Sequence, residues 1–219
     1  MPTITAVEPQ RRKGRFNIYV DGNFVIGVGE AVIVRLGLRT GTNAASEELA
    51  RIAREEELQN AVAAAVRLLE SRPRAVREIK DRLYTKGFEQ DIVDETINKL
   101  TTLGYLNDAQ FAQSWVESRS RSRPGGIRKR RSELIAKGIA RDDIDSAVAP
   151  ISEDDEIAMA RQAATKILPS PSTNSAERRK QFIRLTSALQ RRGFGWSVIK
   201  EVLKTLGESE IDEGTDDND

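Results

Sequence analysis

The sequence predicts a mainly α protein, a tandem array of three three-helix repeats preceded by a small N-terminal β-hairpin. Three observations carry this. A six-residue pattern occurs three times: Leu83-Tyr84-Thr85-Lys86-Gly87-Phe88, Leu134-Ile135-Ala136-Lys137-Gly138-Ile139 and Leu189-Gln190-Arg191-Arg192-Gly193-Phe194. Its glycines recur roughly every fifty residues, as in repeat architectures. Before each glycine lies an apolar stripe at helical spacing: Val76, Ile79 and Leu83 in the first copy, Phe182, Leu185 and Leu189 in the third. Near the N-terminus the period changes to two. Residues 15–20 and 24–28 alternate on either side of Asp21-Gly22-Asn23, which is hairpin turn chemistry.

Taken in order, residues 1–45 form the hairpin segment. Ile4 and Val7 start a short strand, and Glu30 to Leu36 read as a short helix stopped by Gly37. The loop Gln10–Arg15 carries Arg11, Arg12, Lys13 and Arg15, and it reads either as a phosphate contact or as a solvated loop. Residues 46–104 form the first repeat. Ser46 is a candidate N-cap, with Glu47 and Glu48 in the first turn. One long helix or two, broken near Arg54–Glu57, run to Ser71, followed by helices near 74–86 and 90–103.

Residues 105–151 form the second repeat. Asn107 is a natural N-cap, and Phe111 and Trp115 face inward. Its second helix starts after Pro124-Gly125-Gly126 and ends at Lys137-Gly138. Here the stripe reads Ile127, Arg130, Leu134, so one core position holds an arginine. Residues 152–207 form the third repeat, with Ser152 as N-cap and helices ending near Leu168, Arg192 and Leu206. In each repeat the glycine is the left-handed residue that ends a helix, and the preceding cation faces the negative end of the dipole. Residues 208–219 hold seven acids and no base, and such a tail is expected to be disordered.

Composition removes whole classes of chemistry. The chain has no Cys and no His, which excludes disulfides, Cys/His zinc sites, thiol nucleophiles and histidine-based triads. Glu47-Glu48 and Glu55-Glu56-Glu57 offer oxygens, but adjacent acids on a helix point apart. No cofactor, no metal and no enzymatic activity are expected. Met-Pro-Thr-Ile-Thr lacks the pattern of a signal peptide, and no apolar run approaches the ~18 residues that span a bilayer. A cytoplasmic protein away from membranes is expected. Net charge is only +1, so the distribution of charge carries the signal. From Arg119 to Arg141 there are nine Lys or Arg against the single acid Glu133.

At this point the sequence resembles the RecX family of regulatory proteins, which modulate the RecA recombinase. The residues that carry the likeness are the three glycine-ended helices and Gly104-Tyr105-Leu106-Asn107-Asp108-Ala109-Gln110-Phe111-Ala112. The family form of this second motif has Asp where Asn107 stands. Ala75 replaces a capping Ser, Arg130 an apolar residue, and the acidic tail is additional. The resemblance covers about residues 50–207. It implies three tandem three-helix bundles in a curved array, binding in the groove of the RecA–DNA filament, and weaker ATP hydrolysis and strand exchange by RecA. Its implied partners are the RecA filament and the single- or double-stranded DNA within it.

Arg119, Arg121, Arg123, Arg128, Lys129, Arg131 and Lys137 form the candidate filament-binding zone, because a cluster of arginines suits DNA phosphates or acidic RecA residues. A charge run alone reads as a solvated face. The Gly125-Gly126 break, the lone acid and the family resemblance favour a binding surface. A secondary basic surface comprises Arg178, Arg179, Lys180, Arg184, Arg191 and Arg192. Gly87, Gly138, Gly193 and Phe111 are structural. Trp115, Trp196, Tyr84 and Tyr105 read as packing residues. A monomer is expected. The alternative function is an independent helix-turn-helix DNA-binding protein, such as a transcription factor, reading bases from a helix start.

Overall fold

The structure is a computed structural model that describes residues 2–11, 13–122, 124–168, 170 and 172–212. Arg12, Arg123 and residues 213–219 of the expected tail lie outside the described residues. The chain divides into two compact units, Met1–Leu106 and Asn107–Asp219.

In the first unit, β1 (Ile4–Pro9), β2 (Arg15–Val20) and β3 (Asn23–Gly29) form an antiparallel sheet in the order β1-β2-β3. The short strand at Ile4 thus joins the hairpin. Asp21 and Gly22 both have positive φ, 48° and 83°, which matches the right-handed twist of the paired strands. Helices α1 (Glu30–Leu36), α2 (Ser46–Ser71), α3 (Val76–Thr85) and α4 (Gln90–Thr102) follow.

α2 is one continuous helix of 26 residues, with no break near Arg54–Glu57. Its first half packs Ile52 into the sheet core with Ile4, Ile18, Val28 and Val32. Its second half packs Leu58, Ala61 and Ala65 against Ile79, Leu83, Val93, Ile97 and Leu100. Between the two cores Glu56, only 6% exposed, accepts from the Gly29 amide at 2.6 Å and pairs with Arg15. Glu55 pairs with Arg35. The acids that looked like a helix break therefore tie α2 to its neighbours. Arg15 is committed to Glu56 rather than free for phosphate. Ala45, not Ser46, holds the N-cap position of α2 and gives no side-chain hydrogen bond.

The second unit contains α5 (Asp108–Ser122), α6 (Ile127–Ala136), α7 (Arg141–Val148), α8 (Glu153–Ile167), α9 (Ser175–Arg191) and α10 (Trp196–Asp212). α10 extends past the boundary expected at 207. The Asn107 carboxamide accepts from the Gln110 amide at 2.9 Å, and Ser152 with Asp155 forms a reciprocal capping box. Residues 160–202 supply one core, in which Ala160, Ala163 and Ala164 meet Leu185, Leu189, Phe194, Ile199 and Val202.

The threefold motif is a threefold helix ending. Gly87, Gly138 and Gly193 have φ of 88°, 81° and 82°. In each copy the residue after glycine donates to the leucine carbonyl at the start of the motif: Phe88 to Leu83 at 3.3 Å, Ile139 to Leu134 at 3.1 Å, Phe194 to Leu189 at 3.2 Å. The glycine amide donates one residue further on, at 2.9, 2.9 and 2.8 Å. This is the Schellman arrangement, which satisfies the last carbonyls of the helix. Gly138→Val should therefore lower the stability of the second unit by more than ~1 kcal/mol, since a β-branched residue tolerates positive φ poorly. Unchanged melting of the variant would contradict this account of the ending.

Candidate functional site

The basic zone of the second repeat is built around Glu133 and Trp115. Trp115 lies on α5, stacked on Phe111 with ring centroids 5.8 Å apart. Its indole Nε1 donates to Glu133 Oε2 on α6 at 3.0 Å. The Arg119 guanidinium lies 4.3 Å from the Trp115 ring centroid, and Lys137 Nζ lies 4.2 Å from it. Both are cation–π distances. The same carboxylate oxygen is 3.9 Å from Arg119 Nε and 3.8 Å from Arg130 Nη1. One acid thus faces two guanidinium groups and an indole. The only acid in the run from 119 to 141 therefore has a structural role.

Arg130 takes the core-facing position that periodicity assigned it and is 1% exposed. Burial pulls its pKa below the ordinary guanidinium value, Glu133 pushes back, and Arg119 adds to the fall. A buried cation of this kind needs hydrogen-bonded and ionic company to be tolerated. The neighbouring cations divide into two groups. Arg131 pairs with Asp145 on α7. Arg128 and Lys129 are exposed, and among the described residues neither has an ion-pair partner. Arg121 is on α5, and Arg123 lies outside the described residues.

The start of α6 runs against electrostatic preference, with cations and no acid in its first turn. Glu156 on α8 supplies the missing carboxylate and accepts from the Ile127 amide at 2.9 Å. The same turn is pressed against the end of α9. The Gly126 amide donates to the Arg192 carbonyl at 2.9 Å. A Cβ on Gly126 would stand 2.2 Å from the Gly193 carbonyl oxygen, and one on Gly193 would stand 2.4 Å from the Lys129 nitrogen. Two backbones cross here with no room for a side chain on either glycine. This is why a glycine, Gly126, immediately precedes the cationic helix.

That crossing brings part of the secondary zone to the first. Arg192 Nη1 donates to the Ala163 carbonyl at 3.3 Å. With Arg119, Lys129, Arg130 and Lys166 it lines one cavity of about 320 Å³. Lys166, in the last turn of α8, was not singled out by sequence reasoning. Arg179, Lys180, Arg184 and Arg191 are exposed along α9, and Arg178 is half-buried. They are not brought to the cavity. Arg178 and Arg179 instead border an open groove with Phe182, Ile183 and Trp196.

Three aromatic residues depart from expectation. Trp196 is 59% exposed and Tyr105 61% exposed, and Tyr84 is also exposed. Tyr84 lies on α3 and Trp196 opens α10, while Tyr105 lies in the connection between α4 and α5. Phe111 is buried as expected.

Comparison with known proteins now decides the family. Four family models match in sequence along the chain: the regulatory protein RecX N-terminal domain over residues 2–44, and the first, second and third three-helix domains of RecX over residues 61–100, 107–148 and 153–203. The chain belongs to the RecX family. Regulatory protein RecX of Bacillus subtilis (strain 168) is 30% identical over 217 residues, covering 99% of this chain and 81% of that protein. Regulatory protein RecX of Bacillus velezensis is 31% identical over 205 residues, covering 93% of this chain and 77% of that protein. A crystal structure of regulatory protein RecX superposes with a TM-score of 0.79 at 25% identity, covering 93% of this chain and 100% of that one. That of RecX from Lactobacillus salivarius shares the fold, with a TM-score of 0.64 at 23% identity over 70% of this chain and 98% of that one. Like these RecX proteins, the chain is a mostly helical member of a family of regulators. No described helix is long and apolar enough to cross a membrane.

Proposed function

We propose that this RecX-family chain regulates RecA in the cytoplasm, as a monomer and without catalysing a reaction itself. It binds the RecA–DNA filament through the basic face of its second unit and lowers ATP hydrolysis and strand exchange. Arg128 and Lys129 make the primary contacts, with Arg119 and Lys137 flanking them. The exposed cations of α9 extend the surface.

The observation that carries this reading is the pair Arg128 and Lys129. They are exposed, unpaired among the described residues, and held at a helix start where the dipole opposes them. The positive charge there is maintained against local preference, and a polyanion neutralises it. Arg131 is a supporting residue rather than a contact, because Asp145 already takes its charge. A base-reading role finds less support at α6. The N-terminal end that would have to reach base edges is covered by the Arg192–Gly193 backbone and by Glu156.

The test is RecA-driven ATP hydrolysis on single-stranded DNA, with filament length measured in parallel, as this chain is added. Hydrolysis should fall with rising concentration. Hydrolysis and filament length that both stay constant at saturating amounts of chain would overturn the proposal.

A further inference from the structure

We infer that the cavity between α5, α6, α8 and the end of α9 is a phosphate-binding site. Arg119 comes from α5, Lys129 and Arg130 from α6, Lys166 from α8, and Arg192 from the C-cap of α9. Glu133 is the one carboxylate among them. That carboxylate is already engaged by Trp115 Nε1, Arg119 and Arg130. Five cationic side chains and that one acid therefore line a recess of about 320 Å³.

The crowding is built in by the backbone. Gly126 and Gly193 cross within a distance that forbids any Cβ, and this fixes the stem of Lys129 beside Arg192. Like charges held together in a partly enclosed recess repel more strongly than on an open surface. An anion with several acceptor oxygens relieves that repulsion, and arginine forks match phosphate oxygens in pairs. The volume is at the small end of ligand sites, so the recess takes a single phosphate-bearing group rather than a large ligand. Pro124 and Gly125 on its rim place no side-chain donor or acceptor in the way.

A strand's backbone phosphate and a free nucleotide's phosphate share this chemistry. The site does not rest on RecA regulation: phosphate binding can fail while inhibition of RecA stands, and the reverse.

The experiment uses the full chain with Trp196→Phe, so that Trp115 is the single indole reporter. Trp115 touches Glu133 and Arg119, so an anion entering the recess changes its emission. Inorganic phosphate, a nucleoside diphosphate and short oligothymidylate are titrated separately at low ionic strength. A saturable change is expected, with affinity reduced about fivefold or more by Lys166→Gln and again by Arg192→Gln. Lys166 is exposed at a helix end, so its replacement leaves the fold intact, which a melting curve checks. Tighter binding of oligothymidylate than of the diphosphate assigns the site to a nucleic-acid backbone, and the opposite order assigns it to a nucleotide. Absence of a saturable change with all three probes, or equal affinity in folded Lys166→Gln and Arg192→Gln variants, overturns the inference.

Discussion

Gly126→Ala should destabilise the second unit by more than about 3 kcal/mol, while Gly87→Ala should cost the first unit only about 1 kcal/mol. The contrast runs opposite to backbone preference. Gly87 sits at φ 88°, where L residues are strained, but a Cβ there meets nothing within 4 Å. Gly126 has φ of −69°, which any residue adopts. Its added methyl would instead lie 2.2 Å from the Gly193 oxygen, 2.4 Å from its carbonyl carbon and 2.5 Å from the Phe194 nitrogen. All three are backbone atoms of a helix ending fixed by its own hydrogen bonds, so no flexible side chain can give way. The crossing must separate. With it go the Gly126–Arg192 hydrogen bond and the cap that Glu156 places on α6. Urea unfolding followed by circular dichroism and tryptophan emission measures both variants. Equal losses at Gly87 and Gly126 would show that the two backbones have room to part.

The helix endings were legible because they are local. A glycine at C′, a cation before it and an apolar residue after it act within six residues, and the stripe before them has a fixed period. The caps at Asn107 and Ser152 were legible for the same reason. What escaped the sequence is what distant segments do to one another. Glu56 looked like part of a break in α2 because its partners, Gly29 and Arg15, come from the sheet. Arg131 looked free because Asp145 sits on the next helix. Trp196 falls on an apolar stripe, but a stripe does not reveal whether a neighbour covers it. At Trp196 none does over more than half the side chain.

The candidate site divides along the same line. The density of charge from 119 to 141 and the buried position of Arg130 follow from composition and period. The grouping of Lys129 with Lys166 and Arg192 does not. It depends on the Gly126–Gly193 crossing, which joins residues from different repeats. The sole local hint was a pair of glycines before a helix whose first turn has no acid of its own. A helix start so poorly capped from within needs a partner from elsewhere, and Glu156 supplies it.

Under the proposed function, Arg128 and Lys129 are the contact by which this chain acts on the RecA filament. Arg128→Glu with Lys129→Glu is the variant that tests it, since both side chains are exposed and neither supports a described ion pair. Arg131 is left intact because replacing it would break its pair with Asp145 and confound binding with folding. Reversing two cations against a polyanion should raise the concentration needed for half-inhibition about tenfold or more. If the contacted groups are phosphates, each one lost should also flatten the log–log salt slope by about 0.7 to 0.9. The direct measurement is RecA-driven ATP hydrolysis on single-stranded DNA, titrated with the parent chain and with the double variant after their melting curves have been matched. The parent should inhibit and the double variant should not, over the same concentration range. A folded double variant that inhibits as well as the parent would contradict the claim and move the contact to the exposed cations of α9.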